Sequence, residues 1–175
     1  MEINNKEEVK KYLKQWTTIR AYKYKKYPQL LAEANTEAIE GTARYIEYKY
    51  SDLTGGKLTV LSNETAPYHI TFMQAYDYIA NNQAKSPSYL ERPMRYEVGS
   101  ALGLIMDKSN INWKNDIEDS KDKDGETQYE ILKKYFNISD KDITEDKINH
   151  IKEKNNYNEL LKQGQKIVDL VNKNN

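Results

Sequence analysis

Apolar residues recur at intervals of three or four along most of this chain. From about Asn5 to Tyr27 this spacing predicts an amphipathic helix that ends before Pro28. The same spacing predicts further helices over residues 29–52, 69–81, 94–107, 127–136, 144–154 and 157–171. Between them, residues 57–68 are predicted to be mainly loop, with one short extended segment near residues 57–61. The predicted fold is therefore all-α, an irregular bundle of six or seven helices.

Length and composition favour one domain with an aromatic core. The chain has 175 residues, which suits a single helical domain over residues 1–175, or such a domain with residues 139–175 as a C-terminal helical extension. Leu, Ile, Val and Phe supply only about a fifth of the residues, whereas there are 15 tyrosines. We therefore expect a core that depends on tyrosine rings, with their hydroxyl groups reaching polar partners at its edge.

Charge and residue types exclude several classes of function. The formal net charge is zero, so no domain-wide basic field supports nucleic-acid binding, although residues 1–27 carry eight cations against three glutamates. Because there is no cysteine, disulfides, thiolate zinc sites and cysteine nucleophiles are excluded. No apolar run approaches the length of a membrane span, and the N-terminus lacks the apolar centre of a signal peptide. We expect a soluble cytoplasmic protein with no nucleic-acid or membrane partner.

The second predicted helix has a charged face and an apolar face. At about 100° per residue, its charged residues fall within about 80° of one another, opposite the apolar set. The charged set is Glu33, Glu37, Glu40, Arg44 and Glu47, and the opposite set is Leu31, Ala38, Thr42, Ile46 and Leu53. The simplest interpretation is a solvent-exposed acidic face on a helix that buries its apolar set.

Glycines inside two of the predicted helices need an explanation beyond helix propensity. Gly41 costs about 1 kcal/mol relative to alanine, so its presence suggests a close approach of another backbone. Gly99 and Gly103 lie four residues apart and therefore share one face of the helix predicted over residues 94–107. Small residues at this spacing let a second helix approach closely.

The stretch IEGTARYIEY, residues 39–48, resembles the helix that supplies the third zinc ligand in gluzincin metallopeptidases, especially in their aminopeptidase branch. The matching residues are Glu40, Gly41, Ala43, Tyr45, Glu47 and Tyr48. Residues 96–114 are similar to the helix and following Trp-Lys found beyond the metal site in some bacterial relatives. The two similar stretches occur in the same order as in that family.

The resemblance implies roles for a few side chains. Glu40 would stand at the position of the zinc-binding glutamate. Tyr96, or alternatively Tyr89, would stabilise the oxyanion of the reaction. The neighbouring charged residues that would line the cleft of an intact enzyme are Glu37, Arg44 and Glu47.

The sequence departs from the gluzincin pattern at its most specific motif. It contains no His-Glu-x-x-His, from which that family takes its other two zinc ligands and its general base. The two histidines, His69 and His150, both follow Glu40; we expect no metal at His69 and an exposed position for His150. The resemblance therefore implies either the helical C-terminal half of a longer peptidase or a descendant that has lost the metal. Zinc is expected only in a complete parent enzyme, and this chain alone is expected to hold no cofactor and to be catalytically silent.

A second hypothesis is a non-enzymatic helical interaction or scaffold protein. Its grooves or its tyrosine-rich surface would bind a peptide, a protein partner or another copy of the chain. The position of Glu40 distinguishes the two hypotheses, because a concave pocket favours the peptidase relation and a convex, solvated face favours an ordinary helix. The sequence leaves both hypotheses open.

Overall fold

The structure, a computed structural model, describes residues 5–56, 61–62, 69–70, 81, 90 and 92–174. These ranges contain seven α-helices and one antiparallel pair of short strands. The helices are α1 (Lys6–Lys26), α2 (Ala32–Leu53), α3 (Arg92–Lys108), α4 (Lys114–Ile117), α5 (Gln128–Tyr135), α6 (Glu145–Lys154) and α7 (Tyr157–Asn174). A short 3₁₀ helix, Pro28–Leu31, joins α1 to α2. The predicted all-α class is confirmed.

Two short strands, β1 (Leu61–Ser62) and β2 (His69–Ile70), pair in antiparallel orientation. The helix predicted over residues 69–81 is therefore wrong at its first two residues, because their backbone groups pair across the strands rather than along a helix. Residues 71–80, and most of the extended segment predicted near residues 57–61, lie outside the described residues.

Polar side chains begin several of the helices. The Asn5 side chain accepts a hydrogen bond from the Glu7 N–H at 3.0 Å and caps α1. At α5, Thr127 and Glu130 form a capping box, in which each side chain bonds the backbone N–H of the other. Thr144 occupies the predicted N-cap of α6, but its side chain makes no capping hydrogen bond.

Asparagines with positive φ end three of the helices. Asn110, Asn137 and Asn156 have φ of 55°, 50° and 52° and follow α3, α5 and α6. Asparagine adopts this left-handed conformation more readily than most residues, because its short polar side chain can bond locally. After α3, the Ile111 N–H donates to the Met106 carbonyl oxygen at 2.9 Å and closes the final turn.

Two apolar clusters form the core of the described residues. The buried members of the larger cluster are Leu13, Tyr45, Leu102, Met106, Ile111, Trp113, Ile131 and Leu132. Those of the smaller cluster are Ala21, Tyr24, Ala34, Tyr129 and Ile138. The rings meet edge to face, with centroid distances of 4.9 Å for Tyr24 on Tyr129 and 5.1 Å for Tyr45 on Trp113. The predicted contribution of tyrosine to the core is confirmed.

Helices α2 and α3 cross at their glycines. A Cβ atom added to Gly41 would lie 2.4 Å from the Gly99 Cα, and one added to Gly99 would lie 2.1 Å from the Glu37 carbonyl oxygen. One turn further along α3, a Cβ on Gly103 would lie 2.9 Å from the Tyr45 ring. The two backbones leave no room for a side chain at the crossing, which confirms the predicted close approach.

Helix α2 buries part of the face predicted to be solvated. Ile46 and Leu53, from the predicted apolar face, are 61% and 82% exposed, whereas Glu37 is only 1% exposed. Gly41 and Tyr45 are buried on the same side as Glu37. The prediction is wrong because the carboxylates of α2 face arginines from α1 and α3, and this pairing offsets the cost of burying charge.

Candidate functional site

The charged face of α2 forms an ion-pair network with α1 and α3. Glu37 accepts from Arg20 of α1 at 2.7 Å and from Arg95 of α3 at 3.4 Å. Glu33 accepts from the same two arginines at 3.2 Å and 2.9 Å, and from Lys23 at 2.7 Å. Three helices are therefore joined by two carboxylates, and the predicted cleft residue Glu37 lies between helices rather than on an open wall.

A second part of the network lies about two to three turns beyond Glu37 along α2. Arg44 donates from Nε to Glu97 at 2.9 Å and from Nη1 to Glu47 at 2.7 Å. The Tyr48 hydroxyl donates to the other oxygen of Glu97 at 2.6 Å. Burial, and then this hydrogen bond, raise the pKa of Tyr48 to about 12. Arg44 therefore joins α2 to α3, while Glu47 remains more than half exposed at the edge of the contact.

Glu40 of α2 lies beside Arg92 and Tyr96 of α3. Hydrogen bonds from Tyr96 and then from Arg92 hold the pKa of the Glu40 carboxyl below its usual value. The Arg92 guanidinium also lies 5.8 Å from the centroid of the Tyr96 ring. Glu40 borders an open cavity of about 540 Å³, and its side chain is 23% exposed. The position is neither a convex solvated face nor an enclosed pocket.

The surroundings of Glu40 do not fit a zinc site built from the described residues. No group of three or more His, Asp or Glu side chains within the described ranges is arranged to hold a metal ion. The Glu40 carboxylate is contacted by an arginine and a tyrosine, which donate hydrogen bonds to it and are not the histidine or carboxylate ligands of a zinc site. A zinc role for Glu40 stays a prediction that depends on two histidine ligands from elsewhere. Calorimetric titration of this chain with zinc tests whether it binds the metal alone.

The remaining residues singled out by sequence have simpler outcomes. His150 is exposed on α6, as predicted. His69 lies in β2, in a segment of which only the backbone pairing is described. Tyr89 lies outside the described residues. Of these residues, the structure places Tyr96 beside the charged face of α2 and His150 away from it, on α6.

Sequence reasoning missed the arginines, although the composition contained a signal. The chain has only four arginines among its 27 basic residues. All four, Arg20, Arg44, Arg92 and Arg95, pair with glutamates of α2 or α3. A planar guanidinium can serve two carboxylates at once and is easier to bury than an ammonium, so arginine is difficult to replace at such positions.

A groove of about 550 Å³ lies between α1, α6 and the start of α7, and we call it the aromatic groove. Its apolar lining includes Tyr12, Trp16, Ile19, Tyr22, Tyr157 and Leu160. The first four recur on α1 at intervals of four, three and three residues, so they form an outer stripe beside the stripe that enters the core. Tyr12 and Tyr157 are each 39% exposed and Leu160 is 54% exposed. The packing of α6 and α7 therefore covers this stripe only in part.

Trp16 connects the aromatic groove to the ion-pair network. The Arg20 guanidinium that bonds Glu37 lies 4.8 Å from the centroid of the Trp16 ring. A cation against an aromatic face is favourable, and it also fixes the orientation of the ring. The network therefore helps to hold the Trp16 ring, part of one wall of the groove, in a fixed position.

The charged residues in the described lining of the aromatic groove are lysines. Lys23 pairs with Glu33 at 2.7 Å, so its charge is offset. Lys26 and Lys152 form no salt bridge within the described part of the chain. The Lys152 ammonium instead lies 5.0 Å from the centroid of the Tyr157 ring. The groove thus combines apolar rings with two cations that form no salt bridge among the described residues, although Glu145 lies close enough to Lys26 to interact with its charge.

A larger groove, of about 850 Å³, lies on the other side of α6, against α1 and α5. Its charged lining is mixed: Glu7, Lys10, Lys11, Lys14, Asp142, Asp146 and Lys147. Two of these lysines pair with carboxylates of the same groove, Lys10 with Glu7 at 3.8 Å and Lys147 with Asp142 at 3.3 Å. Because both signs of charge are present and partly paired, this groove favours no particular charge of ligand despite its size.

Comparisons with protein-family models, with curated proteins and with solved structures find no match. None of the helices in the described ranges is both long and apolar enough to cross a bilayer. The geometry of the described residues is therefore the basis for inferring function.

Proposed function

We propose that this chain is a non-enzymatic helical interaction module that binds a peptide segment of a partner protein in the aromatic groove. One observation carries the proposal, namely the outer stripe of α1, whose rings α6 and α7 cover only in part. Apolar surface left in water is unfavourable, and helices commonly recognise partners by burying such stripes.

The ion-pair network supports this proposal because its charged groups are engaged in holding helices together. Glu33 and Glu37 join α2 to both α1 and α3, and Arg44 joins α2 to α3. A groove binds with less entropic cost when its walls are already rigid. The carboxylates of α2 thus have a structural role, because they hold α1, which forms one wall of the groove, in place.

Selection from a random peptide library tests the proposal, because it requires no assumption about the sequence of the partner. The library is presented to the wild-type chain and to a Tyr12→Glu/Leu160→Glu variant, which adds charge at two exposed positions of the groove. A Tyr50→Glu/Leu53→Glu variant is the matched control, since these residues are 68% and 82% exposed on α2 and do not line the groove. Circular dichroism and the melting temperature establish that both variants are folded.

We expect peptides that are enriched on the wild type and the control but not on the groove variant. Two charges buried without partners in an apolar contact cost enough to remove micromolar binding. Peptides that bind all three proteins equally, or a failure to enrich any peptide, would contradict the proposal.

A further inference from the structure

We infer that the segment bound in the aromatic groove is an acidic amphipathic helix. The inference rests on the proposed function, and it adds the conformation and the charge of the partner. It is carried by two features of the groove, which are the helical elements that supply its described lining residues and the two cations at its edge.

The shape of the groove favours a helix over an extended peptide. The groove runs along α1 from Tyr12 to Lys26, a length of roughly 21 Å at 1.5 Å per residue. The lining residues that the structure describes belong to α1, the turn after it, α6, α7 or the turn between the last two, so none of them offers a strand edge to an added strand. A partner backbone buried there must satisfy its own hydrogen bonds, which a helix does.

The charge of the groove favours glutamate and aspartate on the partner. Lys26 projects from the end of α1 and Lys152 from α6, and both lie beside rings that an apolar anchor would contact. Glu145, which accepts a hydrogen bond from the Tyr22 hydroxyl at 2.5 Å, offsets part of the charge of Lys26 but not that of Lys152. A basic partner would oppose like charges at Lys26 and Lys152, whereas an acidic one would form charge-assisted contacts with both.

A second copy of this chain is a poorer occupant on the same grounds. Its most exposed apolar side chains lie on α2, where Ile39, Ile46, Tyr50 and Leu53 are 61% to 82% exposed. Four carboxylates of that helix already pair with arginines of the same chain, namely Glu33, Glu37, Glu40 and Glu47. On α7, where Leu160, Leu161 and Val168 are about half exposed, lysines outnumber carboxylates. Neither helix therefore complements Lys26 and Lys152 as well as a partner helix with unpaired carboxylates.

Three designed peptides with the same apolar positions test the inference. Each has about 18 residues with leucine at i, i+3, i+4 and i+7, and glutamate, glutamine or lysine at all other positions. Binding to the full chain is measured by isothermal titration calorimetry at low and high salt. We expect the glutamate peptide to bind at least about tenfold more tightly than the lysine peptide, and this preference to shrink at high salt.

Charge reversal in the groove gives the decisive comparison. A Lys26→Glu/Lys152→Glu variant is expected to reverse the order of the glutamate and lysine peptides. A Lys14→Glu/Lys154→Glu variant is the matched control. It alters the same two helices and changes the net charge by the same amount, but at positions outside the aromatic groove. It is expected to keep the wild-type order of peptide affinities.

The outcomes separate the inference from the proposed function. If the three peptides bind with equal affinity and the Tyr12→Glu/Leu160→Glu variant abolishes binding, the inference is wrong and the proposed function stands. If the groove variant has no effect on any peptide, both are wrong. Concentration-dependent dimerisation that blocks the peptides would instead identify a second copy as the occupant and overturn the inference.

Discussion

Gly41 lies where the backbones of α2 and α3 are closest, which determines what this position tolerates. We predict that Gly41→Ala lowers the free energy of unfolding by about 2 kcal/mol, measured by urea denaturation. The added methyl group would lie 2.4 Å from the Gly99 Cα, and a backbone cannot rotate away as a side chain can. Helix propensity alone predicts the opposite sign, a gain of about 1 kcal/mol.

The reciprocal change at an exposed position of the same helix is the control. Ala43 lies two residues from Gly41 on α2 and is exposed. Ala43→Gly should therefore follow propensity and lower stability by about 1 kcal/mol. If Gly41→Ala stabilises the chain, the two helices cross less tightly than these distances indicate and the explanation of Gly41 is wrong.

Glu37 is the residue whose environment differs most from the expectation of a solvated face. We predict that Glu37→Gln lowers the free energy of unfolding by about 3 kcal/mol in urea, because Arg20 and Arg95 then lose a shared buried counter-charge. Glu47→Gln is the matched control, since Glu47 also pairs with an arginine but is 58% exposed. Its expected cost is below about 1 kcal/mol. Equal costs for the two variants would show that burial does not determine the strength of these pairs.

At the scale of elements, the sequence predicted where the helices lie better than which faces they bury. The bounds of the helices follow from local signals that lie within a few residues of each helix end. Examples are the proline after α1 and the capping box at the start of α5. The orientation of α2 depends on Arg20 and Arg95, which come from two other helices. A helical projection of α2 alone therefore assigns Glu37 to solvent, because the pattern does not contain its partners.

The turn that precedes α6 gives a prediction for acid pH. The backbone N–H and hydroxyl of Ser139 donate to the Asp142 carboxylate at 3.0 Å and 2.8 Å. These hydrogen bonds lower the pKa of Asp142 to about 2 from an ordinary 3.8. Because the pKa is lower in the folded state, the stabilisation is present above about pH 4 and is lost as the pH falls towards 2.

Asp142→Asn should remove this part of the acid dependence. We expect the wild type to lose its advantage in melting temperature over the variant as the pH falls from about 4 to about 2. Ser139→Ala, which removes the hydroxyl but keeps the backbone donor, should give an intermediate profile. A difference between wild type and Asp142→Asn that does not change with pH would contradict the assignment.

At the scale of the whole molecule, the ion-pair network and the aromatic groove belong to one arrangement around α1. Helix α1 contributes Arg20 to the network and, one turn earlier on the same face, Trp16 to the groove. The zinc-site role of Glu40 and the oxyanion role of Tyr96 that the gluzincin resemblance implies stay predictions. The sequence alone does not reveal the groove, because it exists only where three helices meet and no single stretch contains all of its walls.

This arrangement predicts unequal protection of backbone amides across the chain. The centre of α2 packs against α3 without intervening side chains, whereas Ile167 is the one buried side chain among those described in α7. Amides near Gly41 should therefore open only with global unfolding and exchange at least about a hundredfold more slowly than those of α7. Hydrogen exchange followed by mass spectrometry measures the difference. Equal protection would mean that α7 is stabilised as strongly as the α2–α3 crossing.

The same measurement with the glutamate peptide added would locate its binding site. Selective protection of amides in α1 and α6 would place the peptide in the aromatic groove of the intact chain.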